Sequence, residues 1–351
     1  MTRATVFTGY FNLRIIPRND QLIPDDVTTC VIGDLHGNAM KLIFCLLTSR
    51  LLKISQEIYT QLCQAYHEVN YDIFLSLLRR LKCTSARKNR KLILIGDTLC
   101  DRGNSDYMTL LVYEWMSMQG VDFSIIFSNH DREFVRYGLN GFNLPSRGVG
   151  ISQDQSISFD YRVIDATKKR HVKNIFKNIY LPRLKLLEYL PNTNNSLQPF
   201  LLTHAPCDDK TLINLAVLMR EQMDDVSTID KAVHVCNESF SKNLQSCTDN
   251  QLIYNFIWDR HEHRGDIPRS FINVYGHVGE IKSKNEATWI GLDTDLGRSE
   301  LRMGLDYEQD ERAEISTLED TGHELSDPMG AALAKLYPFK TRKLKLFLIR
   351  K

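Results

Sequence analysis

An α/β fold organised around a mostly buried sheet is what this sequence predicts, and three observations predict it. Six short apolar, β-branched runs each close on Gly, Asp, Asn, His or a neighbouring polar turn. Helical patterns separate the first three, giving the strand–helix–strand rhythm of βαβ units. The residues able to do chemistry fall where those runs end, which is where open α/β sheets bind their ligands.

In chain order the runs are VTTCVIGD (27–34), KLILIGD (91–97), DFSIIFSNHD (122–131), PFLLTHA (199–205), INVYGH (272–277) and TWIGLDT (288–294). Residues 38–53 read as the helix after the first strand. Residues 105–119 read as a second helix, from an N-cap at Ser105 to a stop at Gly120. Three stretches exceed this minimal plan. Residues 54–90 form a helical insertion (QEIYTQLCQAYHEVNYDIFLSLLRRL) followed by a basic turn. Residues 135–198 are mixed, with a helical YLPRLKLLEYL near their end. Residues 296–351 are a charged C-terminal extension, acidic from Asp306 to Asp327 and basic at the end. That extension reads as solvated surface, with KLKLFLI as a strand available to complete the sheet. The whole chain, 1–351, reads as one domain carrying this insertion and extension.

Composition narrows the function classes. With 43% hydrophobic and 25% charged residues, the 351-residue chain can build a core, which excludes wholesale disorder. Lys+Arg number 44 against Asp+Glu 43, so no global field recruits nucleic acid or an anionic membrane, and any affinity for phosphate must be local. No stretch is long and apolar enough to span a bilayer, and the N-terminal segment lacks the apolar run of a secretory signal. Eight cysteines without a CxxC, several inside apolar runs, suit a reducing, cytoplasmic setting. None is followed by Arg at the CxxxxxR spacing of thiol-based phosphatases.

The chemistry sits in five strand-end motifs. Gly33-Asp34-Leu35-His36-Gly37 places a carboxylate and an imidazole two residues apart, able to reach one cation. Gly96-Asp97-Thr98-Leu99-Cys100-Asp101-Arg102-Gly103 follows the second strand, and Asn129-His130-Asp131 closes the third. His204 in LLTHAP and His277 in VYGHVG complete the series. A lone histidine at a strand end is more often a hydrogen-bonded structural residue, but five such motifs in succession are not coincidence.

These motifs make the chain resemble the phosphoprotein phosphatase (PPP) family of calcineurin-like metallophosphoesterases, whose signature reads GDxHG, GDxxDRG, GNH(E/D), (S/T)HA and GH in the same order. The long insert is also similar to that of bacterial effector phosphatases of the Wip type. The resemblance implies an αββα fold: a β-sandwich flanked by helices, with the helical insertion added. It implies two divalent transition-metal ions, manganese first, with iron or zinc as alternatives. One ion would be held by Asp34, His36 and Asp97, the other by Asp97, Asn129, His204 and His277, with Asp97 bridging. A mixed N/O set without thiolate fits those metals. Two such ions would hold a shared hydroxide for in-line attack on phosphorus. His130 would be the general acid, Asp101 its orienting partner, and Arg102 a phosphate clamp. Arg260, with Arg264 in reserve, would be the second phosphate-binding arginine.

The implied activity is hydrolysis of phosphoserine and phosphothreonine in a protein substrate, with phosphotyrosine as a further class. Hydrolysis of dinucleoside polyphosphates, as in diadenosine-tetraphosphatases, is the alternative. An effector would be secreted into a host cell. The departures are Ser128 in place of the GNH glycine and Pro206 after His204-Ala205. Asp131 is expected to hold the turn, Asp293 to be structural, and His67, His171, His234 and His323 to take no part.

Overall fold

The period-two alternation of the strand-like runs sorts their side chains onto two faces. In the computed structural model each face finds a different partner. The structure describes residues 4–84, 90–99, 105–142, 164–192, 198–220, 226–259, 268–278, 288–293 and 342–350. Its strands are β1 (Ala4–Phe11), β2 (Val27–Ile32), β3 (Lys91–Leu94), β4 (Phe123–Ile126), β5 (Leu184–Lys185), β6 (Glu188–Leu190), β7 (Phe200–Thr203), β8 (Ile272–Tyr275), β9 (Trp289–Gly291) and β10 (Arg342–Arg350). They form a six-stranded sheet in the order β1-β10-β2-β3-β4-β5 and a four-stranded sheet in the order β6-β7-β8-β9. The central strands of each run parallel, β2 to β5 in one and β7 to β9 in the other.

Val31, Ile93, Ile95, Ile126 and Phe347 of the first sheet share one buried cluster with Phe200, Leu202 and Val274 of the second, so the two sheets meet face to face. Their neighbours Cys30, Ile32, Leu92, Leu94 and Ile125 point the other way, into the larger cluster that the helices build. The helices are α1 (Ala39–Thr48), α2 (Gln56–His67), α3 (Tyr71–Arg80), α4 (Asp106–Met118), α5 (Asn129–Leu139), α6 (Ala166–Ile175), α7 (Asp209–Met219), α8 (Ile229–Lys242), α9 (Leu244–Asp249) and α10 (Gln251–Trp258). Ser105 caps α4, accepting from the Met108 amide at 3.0 Å, and Gly120 ends it with φ 71°.

The insertion is a helical hairpin, α2 and α3, closed at its base by a bridge between Leu52 and Cys83. Tyr59, Leu62, Tyr66, Phe74, Leu77 and Leu78 bury its apolar side in the main core. One expectation needs correction. The helical reading of YLPRLKLLEYL fails: a π-helical turn (Phe176–Tyr180) and a 3-10 turn (Leu181–Arg183) lead into β5 and β6. Pro182 offers no amide to continue a helix, and the leucines after it reach the edges of both sheets. The strand that KLKLFLI offered does complete the sheet, so the last residues of the charged extension are not solvated surface. Residues 342–350 form β10, antiparallel between β1 and β2, with Leu346, Phe347 and Leu348 buried. The remainder of that extension lies outside the described residues. Among the described residues no disulfide forms. Cys30, Cys45, Cys207 and Cys236 are buried, and burial pushes the Cys45 and Cys236 thiols up to about 12.

Candidate metal centre

Five strands of the two sheets, β2, β3, β4, β7 and β8, deliver the motif residues to one end of the sandwich. The loop after β2 is zipped to the loop after β3 through the backbone. The amides of Leu35 and His36 donate to the Asp97 carbonyl at 3.0 and 2.6 Å, and that of Gly37 donates to the Thr98 carbonyl at 3.0 Å. Asn38 then caps α1, accepting from the Lys41 amide at 2.9 Å. Buried Lys41 turns its ammonium back onto the Asp34 carbonyl. β4 runs into Ser128, whose extended backbone (φ −130°, ψ 176°) makes it the N-cap of α5, so Asn129 and His130 occupy that helix's first turn.

Three of the expected ligands have left-handed backbones: His36 at φ 51°, Asp97 at 43° and His277 at 60°. Such conformations cost on the order of 1–3 kcal/mol each away from glycine and persist where the surroundings impose them. Here they aim side chains from three different loops at one point. Glycines make the approach close enough. A Cβ on Gly276 would lie 2.2 Å from Asp34 Oδ1, and one on Gly96 would lie 2.7 Å from His204 Nδ1.

The six expected ligands, Asp34, His36, Asp97, Asn129, His204 and His277, come together, with His130 beside them. Asp97 stands at the middle. Its Oδ2 lies 3.7 Å from His36 Nε2 and 3.8 Å from His130 Nε2, and its Oδ1 lies 3.3 Å from His204 Nε2. Asp34 Oδ2 is 3.8 Å from His36 Nε2, and the Asp34 carboxylate accepts the His277 amide at 3.1 Å. The His204 and His277 rings are 4.9 Å apart, those of His36 and His130 5.2 Å. Among the described residues two groups have donor atoms close enough to hold a cation, His36–Asp97–His130 and Asp97–His204–His277, and they share Asp97.

The electrostatics ask for positive charge. Burial, and then the Asp293 and Asp97 carboxylates, push Asp34 well above the usual carboxylate range. Burial would do the same to Asp97, but His204, His130, His36 and His277 outweigh it and hold that carboxyl well below. His204 Nδ1 lies 2.8 Å from the Ile95 carbonyl, a bond that places a proton on Nδ1, so that in the neutral ring, the form that binds a cation, Nε2 is a lone pair. That lone pair faces Asn129 Oδ1 at 2.8 Å and Asp97 Oδ1 at 3.3 Å. Three acceptors converging in a buried pocket need a cation or an added proton between them.

Sequence reasoning missed part of the support. Ser128 Oγ accepts the Asp97 and Asp131 amides at 2.8 and 3.0 Å and donates to Asp131 Oδ2 at 2.7 Å. The serine that departs from the GNH glycine therefore ties the second motif to the third. Asp131 also accepts the hydroxyls of Thr98 at 2.7 Å and Tyr180 at 2.6 Å, which is how it holds the turn. Burial raises its pKa, with those hydroxyls opposing. Only the polar character of Thr98 and Tyr180 hinted at this, and neither lies at a recognisable spacing. Trp258 sets its ring edge-on to His277 at 5.5 Å. His171 bridges Tyr107 and Glu114 away from the centre. Asp101, Arg102, Arg260 and Arg264 lie outside the described residues.

The two-sheet α/β scaffold thus gathers at its strand ends a buried His/Asp cluster that could hold a metal ion. Residues 91–298, more than half of the chain, match the family model of the WipA-like phosphatase domain, and the chain belongs to that family. Among solved structures, the phosphatase domain of the Legionella effector WipB is similar, with a TM-score of 0.56 at 19% identity over 76% of this chain and 98% of that one. At that identity the likeness is one of fold. No curated protein matches the chain. Among the described residues no helix is long and apolar enough to cross a membrane.

Proposed function

We propose that this phosphatase domain is a PPP-type enzyme with an αββα arrangement. It hydrolyses phosphoserine and phosphothreonine monoesters of proteins, and phosphotyrosine as a further class, at a centre of two divalent transition-metal ions. The observation that carries the reading is the placement of Asp97. One of its oxygens faces His36 and the other faces His204, so this one carboxylate is within reach of both groups of candidate ligands. The donor set fits the metals: buried imidazole and carboxylate without thiolate suits manganese, iron or zinc. Two ions, when bound, would supply the charge that draws a phosphate dianion and lowers the pKa of a shared water.

The chain's own residues do the rest. Asp34, His36 and Asp97 would hold one ion and Asp97, Asn129, His204 and His277 the other. His130, at the start of α5, turns Nε2 towards the centre. Its Nδ1 is buried and has no hydrogen-bond partner among the described residues. An acceptor there would fix the ring for proton donation to the leaving oxygen, which is the role given to Asp101. Arg102 and Arg260 would bind the phosphoryl oxygens. WipB is described as an effector, and we extend that setting to this chain: secretion by a bacterium and action on a phosphoprotein inside a host cell.

The test is purified protein loaded with Mn²⁺, assayed side by side on phosphoserine, phosphothreonine and phosphotyrosine peptides and on a dinucleoside polyphosphate. Turnover of the peptides with two ions per chain supports the reading. Turnover confined to the dinucleotide overturns it. A further expectation concerns Gly276→Ala. Its new Cβ meets Asp34 Oδ1 and must push the carboxylate off the His277 amide. Metal affinity or activity should drop about 10–100-fold, the usual effect of disturbing a ligand's support, as read by metal analysis and kcat/KM.

A further inference from the structure

The helical insertion contributes a bond that the proposed reaction leaves unexplained. Tyr66, one residue before the end of α2, is fully buried and donates its hydroxyl to the Gly37 carbonyl at 3.0 Å. Gly37 has φ 70° and directly follows His36, so it is a freely turning point next to a proposed ligand. On the other side of His36 the loop is already held, by backbone bonds to Asp97 and by Lys41 on the Asp34 carbonyl. The Gly37 amide is fixed by the Thr98 carbonyl. Its carbonyl is fixed from the insertion, whose second helix packs Phe74 against the Tyr66 ring at 6.4 Å.

We infer that Tyr66 is a positioning residue. Through the Gly37 carbonyl it fixes the His36 imidazole in its ligand geometry, so the hairpin braces the metal centre from behind. This rests on the two-metal reading above. The same helix provides a matched comparison. Tyr59 is equally buried and donates its hydroxyl to the Leu13 carbonyl at 2.5 Å, away from the loop.

Tyr66→Phe and Tyr59→Phe each remove one buried hydroxyl and keep the ring. Mn²⁺ binding to the full chain would be followed by titration calorimetry, with thermal unfolding and steady-state kinetics on a phosphopeptide in parallel. Tyr66→Phe should weaken Mn²⁺ at one site about 10–100-fold, with most of kcat restored at saturating Mn²⁺ and KM little changed. Tyr59→Phe should lower the melting temperature by a similar amount yet bind Mn²⁺ like wild type. Wild-type Mn²⁺ affinity in Tyr66→Phe, or an equal loss in Tyr59→Phe, overturns the brace while leaving the metal centre standing. A wild-type protein that takes up no Mn²⁺ overturns both.

Discussion

Asp97→Asn should abolish activity and leave no more than one ion per chain, without unfolding the protein. Asparagine tolerates the left-handed backbone that position 97 requires, and it keeps the shape of aspartate. The bonds that hold the position in place are backbone bonds: its amide to Ser128 Oγ, and its carbonyl to the Leu35 and His36 amides. None of them depends on the carboxylate. What the substitution removes is the negative charge that four histidines surround and one of the two oxygens that share it. On the proposed two-metal reading, losing the shared ligand removes several kcal/mol of transition-state stabilisation, so kcat/KM on a phosphopeptide should fall on the order of 10³–10⁴-fold. Elemental analysis beside circular dichroism and the kinetics checks the result. A folded Asp97→Asn protein that keeps two ions and works within tenfold of wild type would rule out the bridge.

The sheet framework was legible in the sequence because its evidence is local. The runs ending at Asp34, Asp97, Asn129, His204 and His277 each carry strand-like composition and a polar stop, and the structure gathers all five ends. What holds them there was not legible, because it depends on residues brought together from distant positions. Ser128 looked like a departure from a glycine, yet its hydroxyl reaches Asp97 across 31 positions and ties it to Asp131. Tyr180 reaches Asp131 from 49 residues away, and nothing in its own neighbourhood announces that. The same physics misled the reading of residues 180–190. Leucines spaced for a helix face are also spaced to reach two sheet edges, and Pro182 decides between them. In the basic segment 342–350 the strand reading of KLKLFLI holds against its charges, because alternating Leu346 and Leu348 face one core and Phe347 the other.

His130→Asn carries the second large effect, and its value lies in what it separates. The grouping of His36, Asp97 and His130 permits His130 to be a ligand, whereas the proposed mechanism makes it an acid. Asparagine keeps a polar group at the start of α5, and the backbone amide that donates to Asp97 Oδ1 at 3.3 Å is unaffected. If His130 gives a proton to the leaving alkoxide, its loss should cost about 10²–10⁴-fold in kcat on a phosphoserine peptide. Metal stoichiometry should stay at two. An aryl phosphate such as nitrophenyl phosphate should suffer far less, because its phenolate departs without needing a proton. If His130 is instead a ligand, both substrates should slow by the same factor and one ion should be lost. The ratio of the two rate losses, read together with the metal content, therefore distinguishes proton donor from ligand, where activity on one substrate cannot.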